Sequence, residues 1–232
     1  MAKEINLYQQ QNDLLTNSFD DIILKLMQKR NTNKNLKSLL FCGSEPGIGT
    51  TTITINMAIS LALGGNKTLL IDSDIRKNAK NKRLSEAPPL GLSDYLKANA
   101  TIKNIINHTN LENLDYIACG TPFRQSAILL KIGNLEDLIS ALYKDYDFIL
   151  FDSPSLGVVN DASVLSLLVD GVFLIGELGT TTKSSIKKMT EHFSQVHEKI
   201  LGILINKVDR SEYRMYMKNY DYFHKKRTLQ NE

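Results

Sequence analysis

Ser44-Glu45-Pro46-Gly47-Ile48-Gly49-Thr50-Thr51-Thr52 separates the apolar run KSLLFC, which ends at Cys42, from TITINMAISLAL, which reads as a helix running to about Leu63. A strand, a turn of small residues and a helix form the setting of a phosphate-binding loop. The small residues let backbone N–H groups wrap a phosphate, and the helix N-terminus adds its positive dipole end. Pro46, Gly47, Ile48, Gly49, Thr50, Thr51 and Thr52 are therefore the first nucleotide-binding candidates. A literal Walker A pattern, G-x-x-x-x-G-K-[ST], is broken twice: Ser44 stands at the first glycine and Thr50 at the lysine. Losing the lysine removes an attraction on the order of 4 kcal/mol at 4 Å and an effective dielectric of 20. Acting wholly in a transition state, that charge would be worth roughly three decades of rate. Thr51 keeps the hydroxyl that such loops present to Mg²⁺.

Outward from the loop, KTLLID, DFILFD, GVFLIG and ILGILIN repeat the short apolar run, with amphipathic segments between them. That alternation predicts an α/β fold, a mostly parallel twisted sheet with helices on both faces. Near-continuous apolar strands are expected to be buried on both sides. Two of these runs end in carboxylates, at Asp72 and Asp152, and Asp74 follows two residues after the first. In an open α/β sheet such strand ends face the crevice where ligands bind, and their carboxylates suit Mg²⁺ or its waters. Each acidic residue alone would serve equally well as a helix cap. Asn206-Lys207-Val208-Asp209 has the form of a base-reading NKxD motif and equally that of a polar turn.

Composition narrows the remaining classes. The 232 residues are 42% hydrophobic and 23% charged, with 13 Gly and 5 Pro, the profile of a folded globular chain. No run approaches the roughly 18 apolar residues of a membrane span, and MAKEINLYQQQND lacks the apolar stretch of a signal peptide, so a cytoplasmic protein is expected. A net charge of +3, from 28 basic and 25 acidic residues, gives no footprint for nucleic acid. Cys42 and Cys119 have no metal-site spacing, so zinc and disulfides are not expected and two reduced buried thiols are.

Three regions follow. Residues 1–36 are polar and hold one amphipathic helix, with Phe19, Ile22, Ile23, Leu26 and Met27 at helical spacing after a loose terminus. That helix is expected to cover the sheet, with a docking role as the alternative. Residues 37–209 form the phosphate-binding domain, and 210–232 are a basic tail carrying Tyr213, Tyr216, Tyr220 and Tyr222. The tyrosine spacing fits one packed face of a terminal helix or an exposed cluster of acceptors.

Taken in order, SEPGIGTTT, LLIDSDIRK, FILFDSP, VNDA, LGILINKVD and the tyrosine-clustered tail resemble the bacterial tyrosine kinases (BY-kinases) of the CpsD/CapB type, over roughly residues 37–222. The resemblance implies a P-loop NTPase fold related to the MinD/ParA ATPases, with ATP and Mg²⁺ as cofactors. It gives Thr51, Asp72 and Asp152 to the metal. Asp72, Asp74 and Asp152 become the catalytic set, with Asp72 and Asp74 also activating the attacking tyrosine hydroxyl. Arg76 and Asn206 join the nucleotide-binding set, the latter because related ATPases keep an Asn-Lys pair near the base. The tail tyrosines become phosphoacceptors.

The same resemblance implies control of capsule or exopolysaccharide synthesis with a membrane-embedded polysaccharide co-polymerase as activator, which would hold the chain at the inner face of the membrane. It also implies a homo-oligomer, although the family's Glu-x-x-Arg-x-x-Arg motif falls near Asn17, Asp20 and Ile23, which do not match it. With Thr50 at the lysine position, Arg76 or Lys77 is expected to supply the missing charge. The alternatives are a catalytically silent or nucleotide-sensing partner of the co-polymerase and a MinD/ParA-like ATPase.

Overall fold

The five apolar runs are strands of one sheet: β1 (Ser38–Gly43), β2 (Thr68–Asp72), β5 (Phe148–Asp152), β6 (Gly171–Glu177) and β7 (Ile200–Asn206). Two short strands complete it, β3 (Ile106–His108) and β4 (Leu114–Ile117). The structure is a computed structural model that describes residues 5–7, 13–77, 88–132, 134–156 and 160–209. The seven strands run in the order β3-β4-β2-β5-β1-β6-β7, and only the β3–β4 pairing is antiparallel. β1 lies inside the sheet, and the chain leaves it to form β2 two positions away, with β5 inserted between. The carboxyl ends of β1, β2 and β5 therefore open on one crevice, as in other open α/β sheets.

Side chains alternate between the faces of the sheet. Leu39 and Phe41 face a core shared with Met57, Ile59 and Leu61 of α2 (Thr50–Leu63). Leu40 and Cys42 face the opposite core, built with Leu92 of α3 (Leu92–Leu96), Leu138 of α6 (Leu135–Leu142) and Leu165 of α7 (Asp161–Leu168). The remaining α-helices among the described residues are α1 (Asp13–Thr32), α4 (Ile102–Ile105), α5 (Ser126–Ile132) and α8 (Lys183–His192), and a 3-10 helix spans Ser194–Lys199. Burial on both faces explains why the central strands read as continuous apolar runs.

α2 opens with Thr50, Thr51, Thr52, Ile53, Thr54 and Ile55, all β-branched and of modest helix propensity. Packing holds it instead, because every residue from Ile53 to Ala62 except Ser60 is buried. Gly65, at a φ of 80°, follows its end.

Two expectations need correction. β7 is an edge strand, and Ile203 and Ile205 on it are 37% and 43% exposed, so burial on both faces stops one strand short. The terminus read as loose is docked where it is described. Ile5 bridges Thr109, the Leu7 N–H donates to Asn110 Oδ1 at 2.7 Å, and both apolar side chains are buried. Phe19 and Leu26 of α1 enter the same core as α2, and Arg30 stacks 4.6 Å from the Phe148 ring centroid.

Because Leu26 is only 2% exposed in that core, Leu26→Ala is expected to cost about 2–4 kcal/mol. The urea unfolding midpoint measures it; a cost within about 0.5 kcal/mol, typical of a surface site, would mean that α1 is not part of the cooperative core.

Candidate active site

The loop after β1 is shaped by glycines that no other residue replaces easily. Gly47 and Gly49 have φ of 84° and 94°, in the left-handed region that favours glycine. A Cβ on Gly49 would also lie 2.2 Å from Asn206 Nδ2. That amide group donates to the Ile48 carbonyl at 2.7 Å, so the end of β7 braces the loop from behind. Ile53 is the first residue of α2 to donate back, to the Gly49 carbonyl at 3.0 Å. The amides of residues 49–52 find no protein acceptor among the described residues, and no side chain caps the helix. Free amides at a helix N-terminus, beside a turn of small residues, make a ready phosphate cradle.

The carboxylates meet at the mouth of that cradle. Asp72 and Asp152 are register partners at the ends of the adjacent parallel strands β2 and β5. Asp74 is brought back over them by a turn in which its N–H donates to Asp72 Oδ1 at 3.1 Å. Ser73 fixes the junction by donating both its N–H, at 2.9 Å, and its hydroxyl, at 2.7 Å, to the Asp152 carbonyl. Thr51 and Thr54 hydrogen-bond the Asp152 carboxyl from α2, the Thr54 hydroxyl at 3.4 Å. Asp74 and Asp152 are buried and Asp72 is half-buried.

Burial pushes the Asp152 carboxyl well above the usual carboxylate range; the Asp72 and Asp74 charges push the same way, against the Thr51 and Thr54 hydrogen bonds. Burial likewise raises Asp72, with the Asp74 charge adding to it and the Asp74 N–H and Lys77 opposing it. Both thiols lie nearby and are free; burial pushes each up to about 12, so neither offers a thiolate.

The cations after β2 divide between two tasks. Arg76 Nε donates to Ser126 Oγ at 2.6 Å, and that hydroxyl donates to Asp161 Oδ1 at 2.7 Å. Arg76 is thus tied to the start of α5 and, through it, to a fully buried carboxylate at the start of α7. Lys77 pairs instead with Asp74. Of the expected residues, the structure brings together 46–52, Asp72, Asp74, Asp152 and Asn206 with the loop, and turns Arg76 toward Ser126. Ser73, Thr54, Ser126 and Asp161 complete the surroundings; Ser73 lies within LLIDSDIRK and Asp161 within VNDA, whereas Thr54 and Ser126 belong to none of the quoted motifs. Tyr213, Tyr216, Tyr220 and Tyr222 lie outside the described residues.

The donor set fits Mg²⁺ bound with a nucleotide. Carboxylates and a threonine hydroxyl are hard oxygen ligands, and their crowding leaves a charge deficit that a divalent cation relieves. Among the described residues no three acidic, His or Cys side chains form a ready metal cage. Mg²⁺ needs none, since it commonly takes one or two carboxylates and completes its shell with phosphate and water.

The raised carboxyls carry a pH signature. Their folded values lie above the unfolded one near 3.8, so the stability they contribute is full below about pH 4 and lost as pH rises through about 8. In EDTA the melting temperature is expected to fall across that window. Asp152→Asn should flatten the slope and raise the melting temperature at about pH 8 by about 3 °C, on the order of 1 kcal/mol for a chain of this size. Scanning calorimetry checks both, and a variant that melts lower with an unchanged slope would contradict the repulsion.

A family profile described as "AAA domain" matches residues 36–207, a span that includes the loop, Asp72, Asp74, Asp152 and Asn206. The tyrosine-protein kinase CpsD of Streptococcus pneumoniae is 33% identical over 76% of this chain and 78% of its own length. The putative tyrosine-protein kinase CapB of Staphylococcus aureus is 29% identical over 77% and 78%. The crystal structure of the chimerical protein CapA2B2 matches with a TM-score of 0.76, at 26% identity over 83% of this chain and 84% of that one. No described helix is long and apolar enough to cross a membrane. With a third of positions identical across three quarters of both chains, on a P-loop fold with its acidic strand ends in place, this chain belongs to the CpsD/CapB family of bacterial tyrosine-protein kinases.

Proposed function

We propose that the chain transfers the γ-phosphoryl group of ATP to tyrosine hydroxyls, with Tyr213, Tyr216, Tyr220 and Tyr222 of its own or a neighbouring copy as acceptors. The convergence of Asp72, Asp74 and Asp152 at the mouth of the free-amide loop carries this reading. In such a site residues 46–52 hold the phosphates through their backbone. Thr51, Asp72 and Asp152 are the metal ligands, and Asp74 accepts the hydrogen bond of the attacking tyrosine hydroxyl. Bound Mg²⁺ supplies charge neutralisation at the transferring group. Positioning and electrostatics then do most of the catalysis, as is general for phosphoryl transfer. Control of capsule or exopolysaccharide export follows from the systems the relatives' family serves. A membrane-embedded co-polymerase is the proposed activator and the means of holding the chain at the inner membrane face.

One observation favours a second reading. Thr50 leaves residues 43–52 without a cation and with Glu45 as their only charge, as suits a nucleotide-sensing partner that does not transfer phosphate. Intact-mass and phosphotyrosine analysis of the full chain after incubation with Mg²⁺-ATP separates the two. Slow phosphorylation is expected, lost when the four tail tyrosines become Phe and accelerated by about one to three decades in Thr50→Lys. Phosphate gained only by Thr50→Lys would assign the natural chain to the silent class; no gain in either would end the kinase reading.

A further inference from the structure

The loop's missing positive charge is not replaced within the loop. Thr50 turns its hydroxyl toward the end of β1, so close that a Cβ on Gly43 would lie 2.4 Å from it. Nothing basic occurs from Gly43 to Thr52. Yet three carboxylates already crowd the crevice, and a nucleoside triphosphate adds more negative charge than one Mg²⁺ cancels. Some cation has to face the terminal phosphate for the site to bind it well.

The structure distinguishes the two cations after β2. Arg76 has its Nε on Ser126, whose hydroxyl donates to the fully buried Asp161; moving it would break that contact and take its positive charge away from the buried carboxylate. Lys77 has no such tie. Its ammonium rests on Asp74, and its side chain is 76% exposed, so no packing holds it there. Its backbone, by contrast, is fixed. The Lys77 N–H donates to the Asp74 carbonyl at 3.3 Å, Ile75 is held by Ser73 and Phe123, and Cys119 Sγ donates to the Lys77 carbonyl at 3.3 Å. A rigid turn thus aims a flexible ammonium into the crevice. Burial alone would pull that ammonium down; its pair with Asp74 and the nearby Asp72 and Asp152 outweigh this and keep it charged.

We propose that Lys77 takes the place of the absent loop lysine, leaving Asp74 to bind the terminal phosphate of the nucleotide from the β2 side of the crevice. The move has a second effect. With its ammonium on the phosphate, Asp74 is released as the acceptor for the tyrosine hydroxyl, so nucleotide binding and readiness of the base are coupled. This inference rests on the nucleotide-site reading above.

The test is titration calorimetry of the full chain with Mg²⁺-ADP and with Mg²⁺ and a non-hydrolysable ATP analogue. Lys77→Gln should weaken the triphosphate about tenfold, the worth of one charge-assisted contact, and the diphosphate by less than about threefold. Lys77→Arg should keep most of the affinity. Adding Thr50→Lys to Lys77→Gln should restore triphosphate binding, because the charge returns at its usual place. Unchanged or tighter binding in Lys77→Gln would overturn the proposal, tighter binding showing that Lys77 merely competes with Mg²⁺. Failure of Thr50→Lys to restore binding would also overturn it. Natural protein that binds neither nucleotide would overturn the nucleotide-site reading and this proposal together, whereas binding indifferent to Lys77 overturns this proposal alone.

Discussion

Asp72 and Asp152 end two adjacent parallel strands in matched register, so their carboxyl groups are held side by side at the mouth of the crevice. Neither can move away. Both strands are pinned within a doubly covered sheet, and Ser73 ties the end of one to the carbonyl of the other. Asp74 then adds a third carboxylate above them. The fold has thus spent stability on a cluster of like charges, and most of the local arrangement answers to it. Hydroxyls from α2 turn toward Asp152, Lys77 settles on Asp74, and burial with the neighbouring charges pushes the Asp72 and Asp152 carboxyls above the usual carboxylate range. A strained acidic cluster beside a cradle of free amides is a site awaiting a cation with a polyanion, and Mg²⁺-nucleotide has that composition.

The loop itself depends on a remote contact. Asn206 stands more than 150 residues from Ile48 in sequence, yet its amide group supports the Ile48 carbonyl and fills the space that a side chain on Gly49 would need. Two glycines with positive φ and one asparagine therefore fix the curvature of the loop, whose amides at 49–52 have no protein acceptor among the described residues. This role differs from reading a base, and it uses the same side chain. Lys207 extends the brace, pairing with Glu177 Oε2 at 2.7 Å across the β6–β7 edge.

α1 and the segment around Ile5 join α2 in covering one face of the sheet. α2 is too apolar to face water, with nearly its whole length from Ile53 to Ala62 buried, and the sheet covers only one side of it. Phe19 and Leu26 extend the same core beyond it. A helix that carries the phosphate cradle at its N-terminus is thereby packed against both the sheet and α1, which suits a site whose catalysis is positioning.

Periodicity and strand-end chemistry made the α/β class, the identity of β1, β2, β5, β6 and β7, the helix after the loop and the acidic strand ends readable from the amino-acid order alone. Each of these is a local pattern: an apolar run, a small-residue turn, a terminal carboxylate. The docking of Ile5 and Leu7, the two short strands at the β3–β4 edge and the exposed face of β7 were not readable, because they follow from which strand lies beside which. Nor could the order of residues tell Arg76 from Lys77. They are neighbours of like charge, and only the arrival of Ser126 and Asp161 from α5 and α7 commits one of them and leaves the other facing the crevice. Sequence determined which chemical groups the site has; tertiary structure decided which of them face one another, because register, crossover and helix packing join positions that lie tens of residues apart.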